Sequence, residues 1–168
     1  RCAGVGCTSF TQIATPSGTI FSDTGLAPST SYSYRVRAVD AAVNLGPFSN
    51  TSTVATQAGA DTTPPGAPGT LTASAASTTQ INLSWGAATD NVAVTGYRVE
   101  RCTGVGCTSF AQIATPTGTS FSDTGLTAST SYSYRVLAVD AAGNPGPFSN
   151  TSTATTQAVP DTTPPGAP

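Results

Sequence analysis

Hydrophobic and polar residues alternate along several short segments of residues 69–158, and this alternation predicts β-strands. It is clearest in "INLSW" (81–85), "GYRVE" (96–100) and "YSYRVLAVD" (132–140). A period of two is typical of strands that bury one face and expose the other. The residues expected to face a core are Ile81, Leu83, Trp85, Tyr97, Val99, Tyr132, Tyr134, Val136 and Ala138.

Turn-forming sequences separate these hydrophobic runs. They are "GAATDN" (86–91), "TGVG" (103–106), "TPTG" (116–119) and "AAGNPGP" (141–147). Their spacing predicts seven short strands, and strands of this length and pattern form two antiparallel sheets packed face to face. The predicted fold class is therefore all-β, a seven-stranded sandwich.

The sequence repeats itself after 100 residues. Residues 1–68 align without a gap with 101–168 and are identical at 55 of 68 positions. We therefore expect a partial repeat at 1–60 (lacking strands A, B and most of C), a Pro-rich linker at 61–68, a complete repeat at 69–158, and a linker that starts the next repeat at 159–168. Either the chain is a window of a longer periodic protein, or a second chain supplies the missing strands. In both cases residues 1–60 should not be stable alone, because they expose sheet edges and half a core.

Charged residues are few, and their balance excludes several functions. The chain has six Arg, no Lys, no His and eight acidic residues, for a net charge of −2. This weak acidity argues against nucleic acid and against polybasic attachment to a membrane, and no apolar run is long enough to span one. Without His or Lys as a general base, and without a phosphate-binding loop, we do not expect an enzyme.

Four cysteines form two identical Cys-x4-Cys pairs, Cys2 with Cys7 and Cys102 with Cys107. In a chain rich in Ser and Thr (roughly 30%) and free of Lys, we interpret them as disulfides of an exported protein. Zinc ligation and redox exchange are the weaker alternatives, since His is absent and no Cys-x-x-Cys occurs.

Several motifs resemble those of fibronectin type III domains. They are Trp85 at the end of the second strand, Tyr97 and Val99 in the third, and "LAPSTSY" (26–32) and "LTASTSY" (126–132), where Ala128 replaces the usual Pro. The resemblance covers the whole chain and implies tandem immunoglobulin-like sandwiches. It also implies that Tyr32 and Tyr132 are tyrosine corners, whose hydroxyls bond nearby backbone. "DTTPPGAP", "DNVAVTGY" and "VDAAGN" are similar to bacterial versions from secreted multidomain proteins, and this resemblance implies a location outside the cell or on its surface.

Acidic and amide side chains are expected to meet at one pole of the sandwich. Asp61 lies in the linker, Asp90 and Asn91 in the loop after the second strand, and Asp140 and Asn144 in the loop before the last. Two interpretations stay open: these groups bind calcium and stiffen a joint between units, or they cap their own turns. No other cofactor is expected.

Further surface features have weaker implications. The N-glycosylation sequon occurs at Asn50, Asn82 and Asn150, but we do not expect N-glycans. O-linked sugars on exposed Thr residues are an alternative explanation of the Thr-rich surface. Phe48 and Phe148, in "GPFSNTST", are predicted to contribute to lateral contacts between neighbouring copies.

Three functions are compatible with these motifs. The first is a structural array of near-identical modules forming a semi-rigid stalk or a self-assembling filament, whose partners are neighbouring repeats and other copies. The second is a spacer or accessory module of a secreted polysaccharide-degrading enzyme. Adhesion ranks last, because the aromatic residues that could hold a sugar are expected in the core.

Overall fold

The computed structural model describes residues 1–163 and Gly166. The chain divides into two compact units, Arg1–Ala60 and Asp61–Pro168. Every regular element described is a β-strand, so the described part of the chain offers no helix that could cross a membrane.

The first unit is one small antiparallel sheet. Its strands are β1 (Cys2–Ala3), β2 (Ser31–Tyr34) and β3 (Ser52–Ala55), in the order β1-β2-β3. A single bridge between Val39 and Leu45 continues the pairing beyond β2.

The second unit is a sandwich of two antiparallel sheets. One sheet has the order β4-β5-β8, from Thr72–Ala75, Gln80–Ser84 and Ser120–Thr124. The other contains β6 (Val94–Thr103), β7 (Ala111–Ala114), β9 (Ser131–Asp140), β10 (Pro145–Phe148) and β11 (Ser152–Thr155). Its order is β10-β9-β6-β7, and β11 also pairs with β9. The sandwich prediction is confirmed here, while tandem repetition of complete sandwiches stays a prediction.

The seventh predicted strand is interrupted, which is why eight strands appear in this unit. Both β10 and β11 pair with β9, and the register shifts between Pro145 and Phe148. Proline has no N–H to donate to the ladder, so the two prolines of "PGPF" favour a break in the pairing. Strands β10 and β11 are thus two parts of the one predicted strand, separated by a break in the pairing.

The core of the second unit lies between the two sheets. Trp85 packs edge-to-face against Tyr97, with ring centroids 5.5 Å apart. All nine residues that the alternation predicted to face the core are buried there, whereas Leu71 and Leu126 were not predicted. The buried cluster consists of Leu71, Ile81, Leu83, Trp85, Tyr97, Val99, Leu126, Tyr132, Tyr134, Val136 and Ala138.

The predicted linker 61–68 packs against the sandwich that follows it. Pro65 and Pro68 are buried, and the Gly66 N–H donates to the Thr89 carbonyl at 2.9 Å. Gly146 lies so close to this segment that a Cβ there would be 2.4 Å from the Pro65 carbonyl oxygen. The segment thus forms part of the second unit.

Candidate metal centre

Three carboxylates converge at one pole of the second unit. Asp61 precedes β4, Asp90 lies between β5 and β6, and Asp140 ends β9. One carboxylate oxygen from each lies within 4.8 Å of the other two. The structure therefore brings together the acidic residues that the sequence analysis placed at a common pole.

Each of these carboxylates also caps its own turn. The Thr63 N–H donates to Asp61 Oδ1 at 3.0 Å. The N–H groups of Val92 and Ala93 donate to Asp90 Oδ2 at 2.9 and 3.0 Å. In the same way, backbone N–H donation from Asn144 reaches Asp140 Oδ1 at 2.8 Å. Turn capping therefore accounts for one oxygen of each carboxylate.

Two amides link the acidic residues to one another. Asn144 Nδ2 donates to Asp140 Oδ2 at 2.7 Å and to the Asp61 carbonyl at 3.2 Å. Asn91 Nδ2 donates to Asp61 Oδ1 at 3.2 Å. The segment before β4 is thus tied to both neighbouring loops through Asp61.

The charges of this cluster have no basic partner among the described residues. The three ion pairs that the structure describes join Arg1, Arg101 and Arg135 to other carboxylates. Burial raises the pKa of Asp140, but hydrogen bonds donated by Asn144 and by the backbone of the turn outweigh it and hold that pKa below its ordinary value. Asp140 therefore stays ionised near neutral pH.

The predicted disulfides are confirmed. Cys2 is bonded to Cys7 and Cys102 to Cys107, with Cα–Cα distances of 6.0 and 5.9 Å. The second bridge closes the turn between β6 and β7, where Gly104 and Gly106 adopt positive φ. A loop this small contributes about 2 kcal/mol in the chain-entropy model.

A partly buried ionic network around Asp123 escaped the sequence analysis. Arg101 Nη1 contacts both oxygens of Asp123 at 3.1 and 3.0 Å, and the Tyr134 hydroxyl donates to Asp123 Oδ2 at 2.9 Å. Arg101 follows Tyr97 and Val99 at core-facing positions of β6, where a charged residue breaks the apolar pattern. This charged residue in an otherwise apolar pattern was the sequence feature that could have predicted the network.

The hydroxyls of Tyr32 and Tyr132 bond nearby backbone, as expected of tyrosine corners. Tyr32 and Tyr132 are buried, and their hydroxyls accept the N–H groups of Ala27 and Thr127 at 3.0 Å. In the core, the Tyr97 hydroxyl accepts the Ala88 N–H at 3.2 Å.

The two surface phenylalanines are each covered on one side by arginine. Arg135 lies 3.9 Å from the ring centre of Phe148 and also forms an ion pair with Glu100. Phe48 is 45% exposed and contacts Arg35 at 3.9 Å. Lateral contact through these rings stays a prediction.

Of the three sequon asparagines, Asn150 has a structural use for its amide. Its Oδ1 accepts the Leu71 N–H at 2.8 Å, and its Nδ2 donates to the Leu71 carbonyl at 3.1 Å. The Asn150 side chain thereby connects the start of β4, in one sheet of the second unit, to the chain just before β11, in the other sheet. Asn50 and Asn82 are exposed, although Asn82 Oδ1 accepts hydrogen bonds from Gln80 Nε2 at 2.7 Å and Ser122 Oγ at 3.0 Å.

The two facing antiparallel sheets and the bonded tyrosine at the crossover define an immunoglobulin-like sandwich. The chain belongs to the fibronectin type III family: the family model described as fibronectin type III domain matches residues 66–155. Bacterial relatives from Cellulomonas fimi and Niallia circulans also confirm the predicted resemblance to bacterial members.

Two bacterial relatives match most of this chain. Exoglucanase B of Cellulomonas fimi is 43% identical over 164 residues, which cover 94% of this chain and 14% of that protein. Chitinase A1 of Niallia circulans is 46% identical over 151 residues, covering 89% and 20%. The chain thus spans a fifth or less of these relatives.

Solved structures show the same fold. Domains A168–A170 of titin match with a TM-score of 0.53 and 25% identity, over 64% of this chain and 36% of that one. The sixth fibronectin type III domain of human fibronectin type III domain containing protein 3 matches with a TM-score of 0.51 and 24% identity, over 62% and 97%.

Proposed function

We propose that this chain is a non-catalytic spacer module of a secreted bacterial enzyme that degrades a polysaccharide. One observation carries the proposal: nearly the whole chain is similar to exoglucanase B and chitinase A1, yet it spans only 14% and 20% of them. A region that recurs in enzymes named for different polysaccharides is better explained as a shared accessory module than as the part that selects a substrate.

The residue chemistry supports a role without catalysis. The sequence has neither His nor Lys, and its cysteines are bonded in disulfides. Glu100 and Asp123 are held in ion pairs with Arg135 and Arg101, which leaves neither carboxylate free to act as a general acid or base.

The topology of the second unit suits a spacer. Strands β10 and β11 run in the same direction, since both are antiparallel to β9, and together they form the last of seven passes between the poles. The chain therefore enters at the pole of Asp61 and leaves at the opposite one. Such a module adds its own length between whatever precedes and follows it. The relatives favour this function over the self-assembling filament that the sequence analysis ranked first, and export with the enzyme is part of the same proposal.

The test is made in the enzyme that carries this chain. Replacing residues 61–158 with a flexible Gly/Ser segment of equal residue number should leave kcat/KM on a soluble oligosaccharide unchanged and lower the rate on insoluble polysaccharide. The isolated 168-residue chain should neither hydrolyse nor sediment with cellulose or chitin. Hydrolysis or sedimentation by the chain alone, or ordered filaments in electron micrographs, would contradict the spacer function.

A further inference from the structure

We propose that Asp61, Asp90 and Asp140 bind a divalent cation with the ligand preferences of Ca²⁺. The proposal starts from their geometry, since one oxygen of each lies within 4.8 Å of the others. Two oxygens that are both roughly 2.3–2.6 Å from one Ca²⁺ are at most about 5 Å apart. The three carboxylates can therefore coordinate a single ion.

Unpartnered buried oxygens supply the second, independent observation. Asp61 Oδ2 and Asp90 Oδ1 are buried and have no hydrogen-bond partner among the described residues. Turn capping uses the other oxygen of each carboxylate, so it does not explain these two. Buried carboxylate oxygens without a donor are strongly unfavourable, and a bound cation would satisfy both.

The surroundings of the cluster favour a hard cation. All its ligand atoms are oxygens, and no Arg lies within ion-pair distance among the residues that the structure describes. Oxygen ligands select Ca²⁺ or Mg²⁺ over zinc and copper. Because the ligands come from a segment, a loop and the end of a strand, the site suits the flexible coordination of Ca²⁺ better than the strict octahedron of Mg²⁺.

Cation binding would fasten the segment before β4 to the loops around it. Asp61 belongs to the segment 61–68, whereas Asp90 and Asp140 belong to the sandwich itself. The hydrogen bonds from Asn91 and Asn144 already hold Asp61 in place, so little rearrangement is needed on binding. Calcium binding does not depend on what the chain is attached to, so the calcium proposal can be wrong while the spacer proposal holds.

Urea unfolding of the 168-residue chain tests the proposal. Trp85 is the only tryptophan in the sequence, so its fluorescence reports on the second unit. Extracellular calcium modules bind with Kd of about 10⁻⁴–10⁻³ M, so about 10 mM CaCl₂ should raise the folding equilibrium constant roughly 10- to 100-fold over EDTA at matched ionic strength. Calorimetric titration should give one Ca²⁺ per chain.

The repeat provides matched control variants. Asp90→Asn keeps an acceptor for the turn and should abolish the calcium response, while remaining at least as stable as wild type in EDTA because one like charge is removed. Asp61→Asn should behave in the same way. Asp161→Asn changes the equivalent residue of the second "DTTPP" motif. The Asp161 carboxylate caps Thr163 as Asp61 caps Thr63, but it is not part of the cluster, so this variant should keep the full calcium response.

Three results would overturn the proposal. The first is no stabilisation of wild type by CaCl₂ beyond that of NaCl at the same ionic strength. The second is an equal response to MgCl₂, which would exclude the Ca²⁺ preference. The third is a calcium response that survives in both Asp90→Asn and Asp61→Asn, which would leave these acids as turn caps alone.

Discussion

Replacing Tyr134 by Phe removes one hydroxyl from the buried network around Asp123. Tyr134 is 0% exposed, and its hydroxyl donates to Asp123 Oδ2 at 2.9 Å. Phenylalanine fills the same space, so the substitution tests the hydrogen bond with little change in packing. Arg101 remains in contact with both carboxylate oxygens and keeps Asp123 paired.

The expected cost follows from the charge of the acceptor. Hydrogen bonds to charged groups contribute roughly 1.5–3 kcal/mol, against about 1 kcal/mol for neutral pairs. Asp123 is 6% exposed, so water does not readily replace the lost donor. We expect Tyr134→Phe to lower the free energy of unfolding by about 2 kcal/mol, and the urea midpoint by roughly 1–2 M.

Urea unfolding followed by Trp85 fluorescence measures this cost in the second unit. Tyr132→Phe is the matched control, since it lies on the same strand and loses a bond to the neutral Thr127 N–H. It should cost about 1 kcal/mol. In an Asp123→Asn background the cost of Tyr134→Phe should shrink, because the two side chains are coupled. Equal costs for the two Phe variants, or no coupling, would refute the reasoning.

Three further changes should follow from the structure. Above pH ~10 the second unit should lose stability, because burial and the hydrogen bond to a carboxylate raise the pKa of Tyr134. The folded state then keeps a proton that the unfolded chain releases. Urea unfolding of wild type and Tyr134→Phe at alkaline pH checks this. Gly146→Ala should be destabilising in thermal unfolding, since its Cβ would lie 2.4 Å from a carbonyl oxygen, while Gly46→Ala, with 3.5 Å, should be tolerated. Val136→Ala should cost about 2 kcal/mol in urea unfolding, and Val36→Ala almost nothing, because these side chains are 0% and 69% exposed.

The candidate metal centre was predictable in part. The resemblance to a known fold placed the loops of Asp61, Asp90 and Asp140 at one pole, and the structure brings their carboxylates within 4.8 Å. Sequence could not separate a cation site from turn caps, because both use the same residues. The distinction depends on which oxygens are buried without a donor, and only the folded chain shows that.

The sequence by itself determined which way the residues of the core strands face. Alternation depends on the local backbone, whose side chains point to opposite sides at every step, so the core residues of β5, β6 and β9 could be assigned before folding was considered. The turns between them were likewise set by local preferences for Gly, Asn and Pro.

Only the tertiary structure decided what those faces contact. "SYSYRV" occurs twice, yet Val136 is buried and Val36 is exposed. In the second unit the sheet of β4, β5 and β8 covers this face, whereas the described residues of the first unit form a single sheet. Burial is a property of two surfaces in contact, and identical sequences therefore differ when one of the two surfaces is absent.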